Sequence, residues 1–211
     1  MQEKELIDAL IIGDGTLDYY KNISARLQIR HKLAHKDYCT WIIQKTESFL
    51  QWSTPVELDV SGIIEGRKIS GKQISIRTKC MKPLYKYRER WYPFGKKVIP
   101  KDFILTPISL AILYMDDGTL GIGKDSQNYI QRNIQLNTQS FSYEDNYRLL
   151  EMVKGFDIKC SIQELSRRKD NFIIAISGTK QVTAFINVVK KIVEEVNCMK
   201  YKIDLNRTGK L

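Results

Sequence analysis

Two aspartates, Asp14 and Asp117, stand in the same setting at two places in the chain. Each follows an apolar run of helical character, and each is followed at once by a glycine. The C-terminal end of a helix carries partial negative charge, so a carboxylate there is destabilised unless a cation lies beside it. The repetition of this unfavourable arrangement predicts two matched sites that each hold a cation.

Mg²⁺ is the cation that best suits two such carboxylates. If the apolar helices meet at a pseudo-twofold seam, Asp14 and Asp117 lie close together, and like charges at close range need a counter-charge. Mg²⁺ is bound in proteins by one or two carboxylates, while water and phosphate oxygens complete its shell. A metal in this position activates water and stabilises the leaving oxygen of a displacement at phosphorus. We therefore predict phosphodiester hydrolysis with Mg²⁺, for which Mn²⁺ can substitute.

One lysine follows each aspartate at almost the same distance. Lys97 lies 83 positions after Asp14, and Lys202 lies 85 positions after Asp117. Lysines are abundant in this chain, so a single match could arise by chance, but the matching order and spacing make chance the weaker explanation. A paired ammonium group can stabilise charge on a phosphate or orient the attacking water. We predict a catalytic set of Asp14, Asp117, Lys97 and Lys202.

The elements around these residues also occur twice, which indicates an internal duplication. Each copy contains, in order, the apolar Asp-Gly helix, an alternating strand, an amphipathic helix, two further strands and a closing helix. After the Asp-Gly helices we predict strands at 26–30, 56–61, 73–78, 133–137, 158–164 and 172–177, and helices at 36–50, 82–91, 143–153 and 180–196. We divide the chain into an N-terminal half, 1–102, and a C-terminal half, 103–211.

The junction between the halves lacks a flexible linker, so we expect the halves to pack on each other. Thr106 and Pro107 are typical of a helix N-cap and a first helical position, which starts the second Asp-Gly helix there. Both Asp-Gly helices are apolar almost all round, and this predicts that they form the buried seam. Ala9 and Gly13, one turn apart, permit a close backbone approach.

The charge of the chain favours a polyanionic partner. The 211 residues include 34 Lys and Arg against 24 Asp and Glu, a net charge of +10. This surplus favours nucleic acid over a membrane surface, although a basic structural protein would show it too. The sequence has no apolar stretch of membrane-spanning length and no signal-peptide core at its charged start. The four cysteines are far apart, so we expect reduced thiols and an intracellular location.

Rows of polar side chains on the predicted strands supply a candidate DNA-binding surface. The halves of a pseudo-twofold protein can address one phosphodiester on each antiparallel strand of a duplex, which predicts double-strand cleavage. Arg, Lys, Gln and Asn read base edges in the major groove. Any half-buried sheet places polar residues outward, but that does not explain the near absence of acids here. The candidates are Arg26, Gln28, Arg30, Lys72, Gln73, Ser75, Arg77, Lys79, Gln135, Asn137, Gln139, Lys159, Ser161 and Gln163, with Arg167 and Arg168 on phosphate.

Two further patterns resemble functional motifs, but each lacks a residue type that its motif requires. Residues 66–73 nearly match a phosphate-binding P-loop, but Gln73 replaces the required Ser or Thr and an alternating strand follows. We expect a hairpin turn there, with its basic residues facing DNA. His31 and His35 have the spacing of a zinc-protease helix, but Lys32 stands where that motif needs Glu. We expect these histidines at a polar strand edge and a helix start.

Several linked segments resemble the LAGLIDADG homing endonucleases, in particular the single-chain type with two motifs found in mitochondrial introns. The two motifs are residues 7–15 and 110–118, and the supporting segments are 97–100, 105–110, 136–141 and 199–203. The resemblance covers essentially the whole chain, with departures at Asp8 and Ile112. It implies an α+β fold of two αββαββα halves, packed through the motif helices, with a saddle of two antiparallel sheets over DNA.

The resemblance also implies a reaction and its residues. The reaction is Mg²⁺-dependent cleavage of a long target that leaves short 3′ overhangs, and the divergence of the two halves predicts an asymmetric target. By position, Asp14 and Asp117 are the metal-binding acids, joined by the backbone carbonyls of Gly13 and Asp116. Asp117 rather than Asp116 is assigned the metal because it directly precedes its glycine.

Two alternatives remain besides a site-specific endonuclease. Some members of this family are maturases that bind their own intron RNA, and the basic surface would serve that role equally. A transcriptional DNA-binding protein with a degenerate nuclease fold is the other alternative. Intact acids and lysines favour the enzyme, since neither alternative needs them. Because the second half supplies what a homodimer would, we expect a monomer.

Overall fold

The protein consists of two αββαββα units in succession, which confirms the predicted α+β fold. A computed structural model describes residues 3–21, 23–64, 67–165 and 170–207. The first unit contains α1 (Glu3–Ile12), β1 (Thr16–Tyr20), β2 (Ser24–Lys32), α2 (Lys36–Thr46), β3 (Val56–Ile64), β4 (Arg67–Arg77) and α3 (Lys82–Trp91). The second contains α4 (Pro107–Asp117), β5 (Gly118–Lys124), β6 (Ile130–Leu136), α5 (Tyr143–Lys154), β7 (Ser161–Glu164), β8 (Phe172–Ser177) and α6 (Thr179–Val193).

Each unit has one four-stranded antiparallel sheet, and the two sheets have the same topology. The strand orders are β1-β2-β4-β3 and β5-β6-β8-β7. Thr16 pairs with Gln28 in the first sheet, and Thr119 pairs with Gln135 in the second. The registers of the two sheets are therefore equivalent, and β2 corresponds to β6 position by position.

The helices α1 and α4 pack against each other and form the predicted seam. Residues along both helices are buried, including Ile112, which lies in the core without exposure. A Cβ added at Gly13 would lie 2.9 Å from Cγ of Asp116 on the other helix, so only glycine permits this approach. At the start of α4, the Thr106 side chain accepts from the Ser109 N–H, which confirms the predicted N-cap.

Asp8, which interrupts the apolar run of the first motif, is buried but fully partnered. Its carboxylate accepts hydrogen bonds from Arg90 at 2.5 Å, from the Trp91 indole at 2.8 Å and from Lys4 at 3.1 Å. Buried carboxylates persist where charged and polar donors satisfy them. Asp8 therefore attaches α3 to α1 and does not loosen the seam.

Several predicted boundaries differ from the structure. The strands β1 and β5 follow the motif turns directly, and the local alternation of polar and apolar residues does not predict them. The helix α2 ends at Thr46 instead of at residue 50. At this end, the Thr46 hydroxyl donates back to the Ile42 carbonyl at 2.7 Å. The strands β3 and β4 form an antiparallel hairpin, but Gly71 and Lys72 lie inside β4 and pair with β3, so the predicted turn over 66–73 is too long; its first residue, 66, lies outside the described residues.

No helix in the described ranges is long and apolar enough to cross a membrane. All four cysteines are free thiols, of which Cys39 is buried and Cys80 is exposed. The expectation of reduced thiols agrees with this arrangement.

Replacement of Gly13 by alanine should destabilise the fold measurably. The added methyl group would overlap the Asp116 carboxylate across the seam, and overpacking of this kind costs about 1–3 kcal/mol. The measurement is the free energy of unfolding from urea titration. Gly123→Ala is the matched control, because a Cβ there meets nothing within 4 Å. Equal losses in the two variants would contradict close packing at Gly13.

Candidate active site

The ends of the two motif helices meet at Asp14 and Asp116. The Asp14 N–H donates across the seam to Oδ2 of Asp116 at 2.9 Å. The Asp14 side chain remains 38% exposed, whereas the Asp116 side chain is only 3% exposed. Asp14 therefore opens towards solvent from a turn that the opposite helix holds in place.

Asp117, the second predicted acid, is half-buried at the end of α4 and is coupled electrostatically to the first motif. Burial, followed by the charges of Asp14 and Asp116, raises the pKa of Asp117 to about 7. Its backbone carbonyl accepts from the Asn137 N–H at 2.9 Å and from the Asn137 side-chain amide at 2.7 Å. This pairing joins the second motif turn to the end of β6.

Lys202 is buried beneath the last turn of α4, where it neutralises the helix end. Its Nζ donates to the carbonyls of Tyr114 at 2.9 Å, Met115 at 2.6 Å and Gly118 at 2.9 Å. These carbonyls carry the partial negative charge of the helix terminus. Burial lowers the pKa of Lys202 to about 8. In return, the Tyr114 hydroxyl donates to the Lys202 carbonyl and closes the contact.

Lys97 has the equivalent place in the first half. Its Nζ donates to the carbonyl of Gly13 at 2.7 Å and to that of Gly15 at 3.3 Å. Burial lowers the pKa of Lys97 to about 8, while the charge of Asp117 opposes this shift. Each predicted lysine thus binds the turn that carries its predicted acid. The Gly13 carbonyl, proposed as a metal ligand, keeps a second lone pair after it accepts from Lys97.

His31 is a site residue that sequence reasoning missed. Its Nδ1 lies 3.4 Å from Oδ2 of Asp14, and its Nε2 lies 3.5 Å from Oδ1 of Asp116. The predicted polar strand edge is wrong, because the side chain is only 6% exposed. The signal was present in the alternation of β2, since His31 continues the inward-facing series of Leu27 and Ile29. His35 precedes α2 at its N-cap, as predicted.

The side chains at the seam fit a divalent cation. Ligand atoms of Asp14, His31 and Asp116 lie within 4.8 Å of one another, and within the described ranges Asp117 is not part of this group. Nε2 of His31 and Oδ1 of Asp116 are buried and have no hydrogen-bond partner among the described residues. Carboxylate oxygens suit Mg²⁺, and a neighbouring imidazole can orient such carboxylates. Burial also raises the pKa of Asp116, because the ionised carboxylate is poorly solvated there. A bound cation would stabilise the ionised form.

An open groove connects the acids to the polar row of the first sheet. Its volume is about 470 Å³, and its lining includes Asp14, Thr16, Asp18, Gln28 and Arg30. Most candidate DNA-contact residues, on the strands or just beyond the strand ends, are exposed or half-buried. These residues are Arg26, Gln28, Arg30, Lys72, Gln73, Arg77, Lys79, Gln135, Gln139, Lys159, Ser161 and Gln163.

Some candidate DNA-contact residues are placed differently from the prediction. Ser75 is 6% exposed, because it lies beneath the Gln28 side chain at 3.2 Å. The strand β6 ends at Leu136, so Asn137 and Gln139 lie beyond it, and the Asn137 amide is committed to the Asp117 carbonyl.

In the second sheet, β7 begins only at Ser161, so Lys159 precedes the strand instead of forming part of its row. The Lys159 N–H donates to the Gln181 side chain at 2.7 Å, which holds this segment against α6 rather than in the sheet. Arg167 and Arg168 lie outside the described residues.

Comparison with known proteins identifies related chains, two over nearly the whole length and one over 49% of this chain. The DNA endonuclease I-ChuI of Chlamydomonas applanata is 25% identical over 225 residues, which cover 100% of this chain and 98% of the relative. The cytochrome b mRNA maturase bI2 of Debaryomyces hansenii is 24% identical over 209 residues, or 95% of this chain and 74% of the maturase. The uncharacterized protein MJ1098 of Methanocaldococcus jannaschii is 33% identical over 106 residues, and the match spans 38% of its length.

A solved structure with a similar fold was determined on DNA. The homing endonuclease I-WcaI bound to its DNA recognition sequence superposes with a TM-score of 0.78 at 26% identity, over 97% of this chain and 87% of I-WcaI. The sequence pattern of the LAGLIDADG DNA endonuclease family matches residues 4–185. With two motif helices at one seam and a matching pattern over most of its length, the chain belongs to the LAGLIDADG DNA endonuclease family.

Proposed function

We propose that this protein is a site-specific homing endonuclease that makes a double-strand break in a long, asymmetric DNA target. The cleavage is divalent-dependent hydrolysis, with Mg²⁺ as the physiological cation, and it leaves short 3′ overhangs. One observation carries the proposal: each motif turn presents an acid at the seam and is held by its own buried lysine. A protein that only bound nucleic acid would not need this duplicated arrangement.

The residues of the site have separate tasks in this reaction. Asp14 and Asp117 would hold divalent cations at their motif turns, and the Asp116 carboxylate accepts a hydrogen bond from the Asp14 backbone at the seam. A bound divalent cation supplies an activated water and a Lewis acid at phosphorus. Lys97 and Lys202 fix the shape of the two turns and place positive charge beside the position of the scissile phosphates.

The pseudo-twofold arrangement supports cleavage of both strands by one chain. The acids come from equivalent turns, and the polar rows of the two sheets continue away from them. A net charge of +10 favours the phosphate backbone, and Arg, Gln and Lys side chains in the rows suit base edges. Because the two rows differ in sequence, the two half-sites of the target should also differ.

Intron RNA is the second candidate ligand. The similarity to the Debaryomyces hansenii maturase over 95% of this chain favours it, and the same basic surface would serve both polyanions. The acids distinguish the two functions, because RNA binding does not require a cation held between Asp14 and Asp117.

Replacement of either acid by its amide should abolish double-strand cleavage without loss of DNA binding. Asp14→Asn and Asp117→Asn each remove a cation-binding charge, and we expect a fall of about 100-fold or more in the cleavage rate. The measurement is cleavage of a randomised DNA library with Mg²⁺, followed by sequencing of the ends. Asp157→Asn is the control, since Asp157 is exposed in a left-handed turn that asparagine also tolerates.

The outcome on nucleic acids separates the two candidate functions. Cleavage by the wild type and the control alone, with short 3′ overhangs, supports the endonuclease. Tight binding of intron RNA, with no DNA cleavage by any of the four proteins, would contradict it.

Lys97→Met should lower the cleavage rate far more than DNA affinity. The methionine keeps most of the side-chain volume but removes the ammonium group that binds the Gly13 and Gly15 carbonyls. We expect a loss of about 100-fold in the single-turnover rate, with binding changed by about threefold or less. The exposed neighbour provides the control variant Lys96→Met, which removes the same charge from the surface. A similar loss of rate in both variants would refute a specific role for Lys97.

The stabilising effect of Mg²⁺ should increase as pH rises through 7. The folded-state pKa of Asp117 is about 7, against 3.8 for an ordinary aspartate. Between these values the folded protein retains a proton that the unfolded chain has lost, so without a cation the free energy of unfolding falls as pH rises. Above the folded-state pKa the carboxylate is ionised and available to a cation.

We therefore expect Mg²⁺ to raise Tm more at about pH 8 than at about pH 6. Differential scanning fluorimetry of the DNA-free protein in matched buffers measures the effect. Asp117→Asn should reduce the pH dependence, while Asp116, whose pKa burial also raises to about 7, should account for a remaining part. An equal Mg²⁺-induced shift at both pH values would be inconsistent with cation binding at this carboxylate.

A further inference from the structure

The two predicted metal-binding acids have different surroundings, and we propose that His31 is a positioning residue for Asp14 alone. This inference rests on the proposed endonuclease function and deepens it: the two strands of the target are cut by unequal sites. An imidazole and the Asp116 carboxylate lie close to the Asp14 side chain, whereas within the described residues no histidine is grouped with Asp117.

The His31 ring is fixed in a position between two carboxylates from opposite halves. Nδ1 faces Asp14 at 3.4 Å, while Nε2 faces Asp116 at 3.5 Å. The ring packs on Tyr38, with 4.9 Å between the ring centroids, and the backbone of His31 pairs with Ile74 in the sheet. A buried ring on a paired strand has little freedom to turn away, so it restricts the orientation of the Asp14 carboxylate.

Asp116 reinforces this arrangement from the other helix. Its Oδ2 accepts from the Asp14 backbone, so the same carboxylate holds the turn and faces the imidazole that holds the side chain. The Tyr38 hydroxyl is buried in the same cluster and faces the Asp116 carboxylate. Partners of this kind fix the orientation of metal-binding carboxylates.

The equivalent positions in the second half lack these groups. The sheet registers place Thr138 where the first half has His31, and the motif alignment places Gly13 where the second half has Asp116. The Thr138 hydroxyl donates to the Asn146 side chain at 2.5 Å and is turned into the core. Within the described ranges, no side chain donates a hydrogen bond to the Asp117 carboxylate. Its turn is held through backbone carbonyls, by Asn137 at Asp117 itself and by Lys202 at Tyr114, Met115 and Gly118.

The geometry favours a positioning role for His31 over direct cation binding. The two ring nitrogens point to different carboxylates, and a single cation could take only one of them. The distances of 3.4 Å from Nδ1 to Asp14 and 3.5 Å from Nε2 to Asp116 place one carboxylate beside each ring nitrogen. A neutral imidazole donates from one nitrogen only, and we assign that N–H to Nδ1, which faces Asp14. His31 therefore acts through Asp14, and its loss should affect the phosphodiester bond that the Asp14 site cuts.

The kinetic test follows each strand separately on the target recovered from the library. His31→Gln keeps a polar side chain but cannot bridge both acids, and we expect one strand to be cut about 10–100-fold more slowly. The other strand should be cut at a rate within about twofold of the wild type, so nicked DNA accumulates. Single-turnover cleavage with both strands labelled gives the two rates. His35→Gln, on the neighbouring histidine outside the cluster, is the control and should cut both strands normally.

Three kinetic or binding results would overturn the proposal. These are equal slowing of both strands by His31→Gln, unchanged rates for both strands, and loss of Mg²⁺ binding by His31→Gln in calorimetry without DNA. The last result would make His31 a ligand of the cation. If the wild type cuts nothing in the library, the proposed endonuclease function fails, and a second measurement decides the role of His31.

That second measurement is the imidazole ¹⁵N spectrum of the DNA-free protein. Asp14→Asn should shift mainly the Nδ1 signal of His31, and Asp116→Asn should shift mainly the Nε2 signal, because each nitrogen faces one of these acids. The His35 signals should stay in place. Unchanged His31 signals in both variants would refute the bridge, whatever the outcome of the cleavage assay.

Discussion

The whole arrangement depends on bringing the C-terminal ends of two helices together when both ends carry acids. Helix dipoles and carboxylates of the same sign repel each other at this point. Lys97 and Lys202 offset this repulsion, because each donates hydrogen bonds to backbone carbonyls of one motif turn. Burial lowers the pKa of both lysines to about 8, and the charges of the neighbouring aspartates oppose this shift. Both lysines therefore remain mostly charged at neutral pH. The lysines bind backbone carbonyls and not the carboxylates, so the negative charge of the aspartates is only partly neutralised. A site that binds a cation has this property.

The remaining elements serve to maintain that contact and extend it to a ligand. Apolar residues on all sides of α1 and α4 bury the seam, and the Asp8 network attaches α3 to it. The strands β1 and β5 leave the motif turns directly, so each sheet starts at its acid. The groove at Asp14 continues along Gln28 and Arg30, which places the proposed chemistry and the proposed recognition surface in one continuous path.

Much of this architecture could be predicted because it is encoded by local patterns that occur twice. The apolar runs before Asp14 and Asp117, and the matched spacing to Lys97 and Lys202, are visible in one dimension. The alternation of β2 could have predicted that His31 is buried, but not that it faces Asp14 and Asp116. The contact with Asp116 joins the two halves, and no local pattern records it. Ser75 illustrates the same limit within a sheet, since a polar residue on the outer face became buried beneath its neighbour Gln28. The predicted end of β6 differs from the structure because Asn137 lies beyond the strand and donates its side-chain amide to the Asp117 carbonyl of the motif turn.

The most direct test of a divalent cation at the seam is anomalous diffraction from a complex with the selected DNA target and Mn²⁺. From the proposed function we expect density for the metal against the carboxylates of Asp14 and Asp117, with a phosphate of a different strand beside each acid. An empty seam, or metal bound only at surface carboxylates, would contradict the proposal that the two acids hold the catalytic cation.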